Sequence, residues 1–166
     1  MFAQLKSDPD SRPSVVPLLT TLLTAHSRAE EAEVYPAVRK EAGHPDDVEH
    51  SQEEHLLADR LLLELGEMEV GDAAFDSKLD ELIDAVSHHV EEEEETVLSG
   101  MRADLSDERR GELGQAFLAS RSEHMGDQAE DITKDELRQQ AENVDLAVGD
   151  RSKAELQEEL LEKGDK

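Results

Sequence analysis

The chain has 166 residues, and its 43 acidic residues against 17 basic ones give a formal net charge of −26. A charge of this sign repels phosphate backbones and anionic membrane surfaces, so it argues against nucleic-acid and membrane partners. The sequence has no cysteine, which excludes disulfides, thiolate zinc sites and iron–sulfur clusters and leaves histidine and carboxylates as metal ligands.

Apolar residues recur at helical spacing, and no stretch keeps the alternation of a strand, so the sequence predicts an all-α protein. Residues 1–6 have the pattern of the last turns of a helix that stops near Pro9. A second helix is predicted over 14–40, and Pro36 is expected to kink it. The buried face of this second helix is expected to carry Leu18, Leu19, Leu22 and Leu23.

Three more helices are predicted after a break at Gly43. The third begins at Asp46, a carboxylate cap followed by Glu49, and runs to about Leu65. The fourth covers 73–101, and its expected buried stripe is Leu79, Leu82, Ile83, Val86, Val90, Val97 and Leu98. The next helix starts at Ser106, with Leu113, Phe117 and Leu118 as its apolar residues.

The C-terminal part of the sequence is more polar. Residues 121–131 have the composition of a linker, and capping boxes at Thr133 and Ser152 predict two small helices in the tail 132–166. This tail resembles the helix-extended-helix modules of the transcription terminator Rho and of SAP domains, but its acidic balance argues against DNA binding. We therefore expect a helical bundle over 1–120, then the linker and the tail.

The most informative feature is a spacing that occurs in both the second and the fourth helix. The segment from His26 to Tyr35 aligns without a gap on the segment from His89 to Leu98, and both read His-x-x-x-Glu-Glu with a later Val. At about 100° per residue, positions i and i+4 lie roughly 40° apart on one helix face. Each segment therefore points one imidazole and one carboxylate in the same direction.

Both of these histidines continue the apolar face of their helix. Leucines lie three, four and seven residues before His26, and Val86 and Leu82 lie three and seven residues before His89. A carboxylate buried beside each histidine would be unfavourable unless a cation neutralised it, so we expect a metal. In the third helix His55 also lies among core-facing leucines, so we expect a third helix to contribute a histidine to the metal site.

This order of His-x-x-x-Glu, a lone His and a second His-x-x-x-Glu resembles the hemerythrin-like HHE family over about residues 1–102. The family's motifs are matched by His26 to Pro36, by Glu54-His55-Leu56-Leu57, and by His88-His89 with Glu93-Glu94. The resemblance implies an up-and-down four-helix bundle, here with a truncated first helix and extra C-terminal helices. It also implies two iron ions bridged by carboxylates and by an oxo or hydroxo group. It implies that His26, His55 and His89 are terminal ligands, each binding one iron. It also implies that Glu30 and Glu93 bridge the two irons.

The sequence departs from that family at one point, because the Asp-His pair of the family's first helix is absent. Two six-coordinate irons offer about twelve positions, and the ligands above with the bridge fill about nine of them. Candidates for the remainder are water, a histidine lost through a truncated start, or the side chains His50, Tyr35, Glu33 and Glu54. We favour truncation, and we then expect an open bundle side and a homodimer or a loosely packed N-terminus.

Ordinary structural roles are expected for the other polar residues. His50 lies roughly 140° from His55 around its helix, away from the ligand face. Tyr35 is expected to pack in the core with its hydroxyl satisfied. In the run 91–95 only Glu93 has the ligand spacing, so the other four glutamates are expected to be solvated. Solvated or capping positions are also expected for His44, His88 and His124.

Nitrogen and oxygen ligands with open positions suit non-haem iron, which binds dioxygen, peroxide or nitric oxide. The first hypothesis is a centre that binds or turns over O₂ or H₂O₂ in sensing or oxidative stress, with catalase-like disproportionation as its enzymatic form. The second is an iron-homeostasis module whose occupancy orders the bundle. The third is an acidic stress-related protein without a specific metal. No leader segment and no apolar run of roughly 18 residues is present, so a cytoplasmic location is expected.

Overall fold

The computed structural model describes residues 1–69 and 71–164, which form helices and connecting turns without a strand. The predicted all-α fold with extra C-terminal helices is confirmed. In this part of the chain no helix has both the length and the hydrophobicity that crossing a membrane requires. The α-helices are α1 Phe2–Ser7, α2 Arg12–Ala29, α3 Tyr35–Ala37, α4 Pro45–Glu67, α5 Phe75–Glu95, α6 Val97–Asp104, α7 Asp107–Glu123, α8 Lys134–Asn143 and α9 Lys153–Lys163.

The predicted second helix is one continuous helical path made of α2, α3 and two wider π-helical segments, Glu30–Val34 and Val38–Ala42. Pro36 has no N–H to donate to the carbonyl four residues earlier. The two π segments lie on either side of Pro36. At the position where a kink was predicted, the helix is therefore widened. The path ends at Gly43, whose φ of 81° is the left-handed conformation that glycine adopts without steric cost.

Two predicted helix boundaries are wrong. The expected single helix over 73–101 breaks at Thr96, which has φ −108° and ψ −80°, and α6 begins after it. The Thr96 hydroxyl donates to the carbonyl of Glu92 at 2.8 Å, a local bond of the kind that competes with helical geometry. The helix α4 begins at Pro45, which is favourable at a first helical position, and Asp46 lies inside the first turn instead of capping it.

The bundle is built from α2, α4, α5 and α7, with α4 and α5 as a hairpin and α7 packed along α2. Two apolar clusters occupy its ends. One contains Leu5 of α1, Leu19 of α2 and Leu79 of α5, while the other contains Tyr35, Val48 and residues of α6 and α7. The polar residues of interest lie between these clusters, so the packed ends hold the middle of the helices in register.

Three side chains expected in the core are exposed. Leu18, Val90 and Leu118 are 51%, 47% and 61% accessible, whereas Leu19 and Leu82 in the same helices are buried. Val90 directly follows His89, so a helix that buries His89 turns Val90 toward its outer side. The helical spacing therefore predicted the buried face correctly but made it too wide.

The two tail helices pack on the bundle instead of extending from it. Both predicted capping boxes form, at Thr133 and Ser152. A third apolar cluster joins Leu56 of α4 to Leu137 of α8 and to residues of α9. Between bundle and tail, the backbone N–H of Gly126 donates to the Thr21 hydroxyl at 2.7 Å. The division into bundle, linker and tail stays a prediction.

We expect Leu137→Ala to lower the free energy of unfolding by roughly 2–5 kcal/mol, because the substitution leaves a cavity between α8 and α4. The control is Leu118→Ala, the same substitution at an exposed position, which should change stability by less than about 0.5 kcal/mol. Urea unfolding followed by circular dichroism measures both. Equal effects of the two substitutions would contradict the packing of the tail against the bundle.

Candidate metal centre

The five residues predicted as metal ligands meet in the middle of the bundle. His26 comes from α2, Glu30 from the first π segment, His55 from α4, and His89 and Glu93 from α5. They form two overlapping groups, Glu30 with His55 and His89, and Glu30 with His26 and Glu93, in which ligand atoms lie within 4.8 Å of one another. Glu30 is common to both groups, as expected of a carboxylate that contacts two ions.

The atoms that approach each other are imidazole Nε2 and carboxylate oxygens. His26 Nε2 lies 3.1 Å from Glu30 Oε1, and His55 Nε2 lies 3.5 Å from Glu30 Oε2. His89 Nε2 lies 3.8 Å from Glu93 Oε2. The side chains of His55, His89 and the two glutamates are buried, whereas that of His26 is 41% exposed and sits at the rim with its ring edge against Phe117.

His55 and His89 point their Nε2 atoms at each other, 3.0 Å apart. The opposite nitrogens are held by carboxylates: His55 Nδ1 lies 3.2 Å from Glu31, and His89 Nδ1 lies 3.0 Å from Glu54. A carboxylate at Nδ1 favours a proton there and leaves the lone pair on Nε2. Two lone pairs facing at 3.0 Å are unfavourable unless a positive charge lies between them, so this arrangement suits a cation.

Two buried carboxylate oxygens support the same interpretation. Glu30 Oε2 and Glu93 Oε1 have no hydrogen-bond partner among the described residues. A buried carboxylate oxygen without a donor is costly. Nitrogen and oxygen donors of this kind suit iron, so the residues present fit the ions that the sequence pattern implies.

Without a metal, protons must neutralise part of this charge. Burial lowers the pKa of His55, but Glu30 and Glu31 raise it more, to about 10. Burial also raises the pKa of Glu30, but the nearby imidazoles of His26 and His55 outweigh burial and bring that pKa to about 2. Burial and the neighbouring charge of Glu30 raise the pKa of Glu93 to about 7. A metal ion would replace protons at this site, as metal ligation generally does.

Only one of the side chains proposed to complete the coordination lies directly among the ligand atoms. The Tyr35 hydroxyl is buried and lies 3.1 Å from His55 Nε2. Glu54 faces the Nδ1 side of His89, and the exposed His50 groups with Glu92 and not with the five ligands. Glu33 is in none of the groups of metal-type ligands found among the described residues.

A buried polar network supports Glu31, a residue that the sequence pattern did not single out. Arg28 donates to Glu31 at 3.0 Å and to Asp59 at 3.1 Å. Gln140 of α8 also donates to Glu31, at 3.1 Å. A tail residue thus contacts the carboxylate that orients His55. The signal in the sequence was the second Glu of His-x-x-x-Glu-Glu, but its burial depends on the packing of α8.

A cavity of about 290 Å³ reaches the ligand histidines from the side of α2 and α5. Its polar lining includes His26, His55, His89 and Glu54, and Arg121 of α7 lies at its edge. The remaining lining is mostly apolar: Leu22, Leu23, Ala58, Leu62, Ala85, Val86 and Val90. Such a space admits a small molecule to the ligand residues along a largely apolar approach.

A family model and two relatives are similar to parts of this chain. The family model "Hemerythrin HHE cation binding domain" matches residues 2–99. A DNA nickase of Nostoc sp. is 34% identical over 110 residues, which are 64% of this chain and 31% of that protein. An uncharacterized hemerythrin-like protein of Schizosaccharomyces pombe is 30% identical over 97 residues, 57% of this chain and 48% of that protein.

The matches thus span about a third of the Nostoc relative and about half of the yeast one. No solved structure matches the chain significantly. All five predicted ligands fall inside the matched range 2–99. The comparisons do not test the assignment of individual ligands, which stays a prediction.

We expect Glu93→Gln to lower the amount of bound iron, because the amide that replaces the carboxylate carries no charge. Glu94→Gln is the matched control, since Glu94 is the next residue of α5 and is exposed. Metal analysis after reconstitution with ferrous iron gives the result. If Glu94→Gln lowered iron content as much as Glu93→Gln, the run of glutamates would act only as a charged surface.

A second expectation concerns the tail. Gln140→Ala should raise the dissociation constant for iron roughly tenfold, because it removes a donor to Glu31 and loosens the orientation of His55. Arg138→Ala, on the exposed side of α8, should leave the constant unchanged. Titration with ferrous iron under anaerobic conditions measures both variants. Unchanged affinity in Gln140→Ala would show that the bundle orients His55 without the tail.

Proposed function

Because the chain belongs to the hemerythrin HHE cation-binding family, we propose that it holds two iron ions between α2, α4 and α5. At these ions it binds or turns over dioxygen, peroxide or nitric oxide in oxidative-stress response or sensing. The proposed ligands are His26, Glu30, His55, His89 and Glu93. The observation that carries the proposal is the apolar cavity of about 290 Å³ that ends on the ligand histidines.

The bound iron would supply electrons and open coordination positions for a small ligand. The protein contributes the surroundings. Leu22, Leu62 and Val86 line the approach and keep it apolar, which favours a small neutral molecule over a hydrated anion. The cavity is too small for a large organic substrate to be enclosed in it.

Tyr35 is the hydrogen-bond donor best placed at the centre. Its hydroxyl is buried beside His55. Burial, and then the charges of Glu30 and Glu93, raise its pKa well above the usual value, so the hydroxyl keeps its proton. The neighbouring carboxylates can only accept hydrogen bonds when ionised, whereas a protonated phenol can donate one to a ligand that enters the cavity.

An iron-homeostasis module without catalysis is the second candidate. It is supported by the buried carboxylates Glu30 and Glu93, whose charges would make folding depend on a cation. In that version the iron-loaded bundle would be recognised by a partner, and no small ligand would be consumed. Tyr35 and the cavity would then have no chemical role.

The Nostoc relative is named a DNA nickase, and a cation held by His and Glu is also a means of phosphodiester hydrolysis. Two observations weigh against this use here. The net charge of −26 repels DNA, and the cavity lining is mostly apolar. We therefore rank DNA cleavage below the two iron functions.

A homodimer remains a proposal, supported by the exposed apolar side chains of Leu18 and Val90.

The test is anaerobic loading with ferrous iron, followed by exposure to O₂ or H₂O₂. We expect about two irons per chain and a change in absorption on exposure, with the oxidant consumed as measured by an oxygen electrode. Glu93→Gln should lose both, and Glu94→Gln should behave as the wild type. Two bound irons without any response to oxidant or nitric oxide would favour the homeostasis module. Binding of one zinc and no iron would contradict both.

A further inference from the structure

A second group of metal-type ligands lies outside the proposed iron centre. His50 and Glu54 are four residues apart on α4, and His88 and Glu92 are four residues apart on α5. Each pair has the His-x-x-x-Glu spacing, which puts both side chains on one helix face. In the hairpin of α4 and α5 these faces meet, and the four ligand atoms lie within 4.8 Å of one another.

The distances between these four residues are close to those around a single ion. His50 Nε2 lies 2.6 Å from Glu92 Oε2 and 3.8 Å from Glu54 Oε1. His88 Nε2 lies 3.6 Å from Glu54 Oε1 and 3.5 Å from Glu92 Oε1. Ligands at about 2.0–2.2 Å in a tetrahedron stand roughly 3.4 Å from each other. Small side-chain rotations would bring all four to one ion.

One carboxylate oxygen of this group lacks a hydrogen-bond donor. Glu54 Oε1 is buried and has no hydrogen-bond partner among the described residues, although it faces both His50 and His88. The ion-pair partners seen for Glu54 and Glu92 in residues 1–69 and 71–164 are all histidines. Such histidines are compatible with a metal because they ligate through a neutral nitrogen.

The group is also accessible. The side chains of His50 and His88 are 57% and 61% exposed, and Glu92 is 36% exposed. An ion can therefore reach them from solvent without passing through the bundle. The expectation that Glu92 is merely solvated misses its contacts with both histidines, because it treats each helix separately.

We propose that His50, Glu54, His88 and Glu92 form a second, surface metal site that takes one divalent ion of the zinc class. Two imidazoles and two carboxylates suit a tetrahedral borderline ion better than a hard ion such as Mg²⁺. The site does not depend on the iron function, since none of its four residues is a proposed iron ligand.

Glu54 connects the two sites. Its Oε1 faces the surface histidines, and its Oε2 lies 3.0 Å from Nδ1 of His89. An ion at Oε1 withdraws negative charge from the carboxylate that orients His89, so occupancy of the surface site changes the ligand strength of His89. By linkage, occupancy of the inner centre changes the affinity of the surface site by the same factor.

Three consecutive glutamates of α5 allow a sharp test. Full-length protein is dialysed against Zn²⁺ at a fixed free concentration, bound zinc is counted, and thermal unfolding by circular dichroism verifies the fold of each variant. Glu92→Gln should lose one zinc, with its dissociation constant raised at least about tenfold. Glu93→Gln should keep that zinc and lose inner-site metal only. Glu91→Gln, an exposed neighbour, should lose none.

His88→Ala supplies an independent ligand deletion and should match Glu92→Gln. Glu54→Gln should lose the surface zinc and also weaken the inner site. If Glu92→Gln bound as much zinc as the wild type, or if Glu91→Gln lost as much as Glu92→Gln, the surface site would be overturned. The two proposals fail separately: inner metal that persists in Glu93→Gln would contradict the iron ligands, and surface zinc that persists in Glu92→Gln would contradict this site.

Discussion

The burial of negative charge in the middle of the bundle is the constraint on which this structure depends. Glu30, Glu31, Asp59 and Glu93 are all buried in a small domain. Removing an ionised carboxylate from water costs several kcal/mol even after relaxation. The protein compensates two of the four with Arg28 and amide donors. The other two face histidine nitrogens and retain oxygens without donors. Arg28 and the amide donors neutralise or hydrogen-bond the first pair, whereas the second pair keeps the charge that the proposed cation would neutralise.

The sequence predicted the positions of the polar residues in the middle of the bundle better than it predicted which apolar residues are buried. Two His-x-x-x-Glu spacings placed on one apolar stripe locate His26, Glu30, His89 and Glu93 together, because helical periodicity fixes relative direction within a helix. Periodicity cannot determine the width of the buried face, which depends on neighbouring helices. Val90 and Leu118 were therefore expected in the core and are exposed. The break at Thr96 depends on a local hydroxyl contact that no spacing pattern contains.

Residues that act through other residues were the hardest to predict. Glu31 and Glu54 hold the outward nitrogens of His55 and His89. Their sequence neighbourhood contained a signal, since each lies next to a proposed ligand. Their burial, however, results from contacts across helices, with Gln140 of α8 reaching Glu31. A polar tail composition suggested separation from the bundle, but its few apolar residues, such as Leu137, are the ones that pack on α4.

The hairpin of α4 and α5 explains how one domain can hold ligands on two sides. His88 and His89 are adjacent, so they point roughly 100° apart around α5. One enters the bundle and the other stays outside, and each has a glutamate four residues later. The antiparallel partner α4 repeats the outer pair with His50 and Glu54. Glu54 lies between the two faces, with one oxygen toward each histidine of α5. Two His-x-x-x-Glu spacings thus begin at adjacent residues of α5, and Glu54 contacts the histidine of each. The proposed coupling between the inner and the surface site follows from this arrangement.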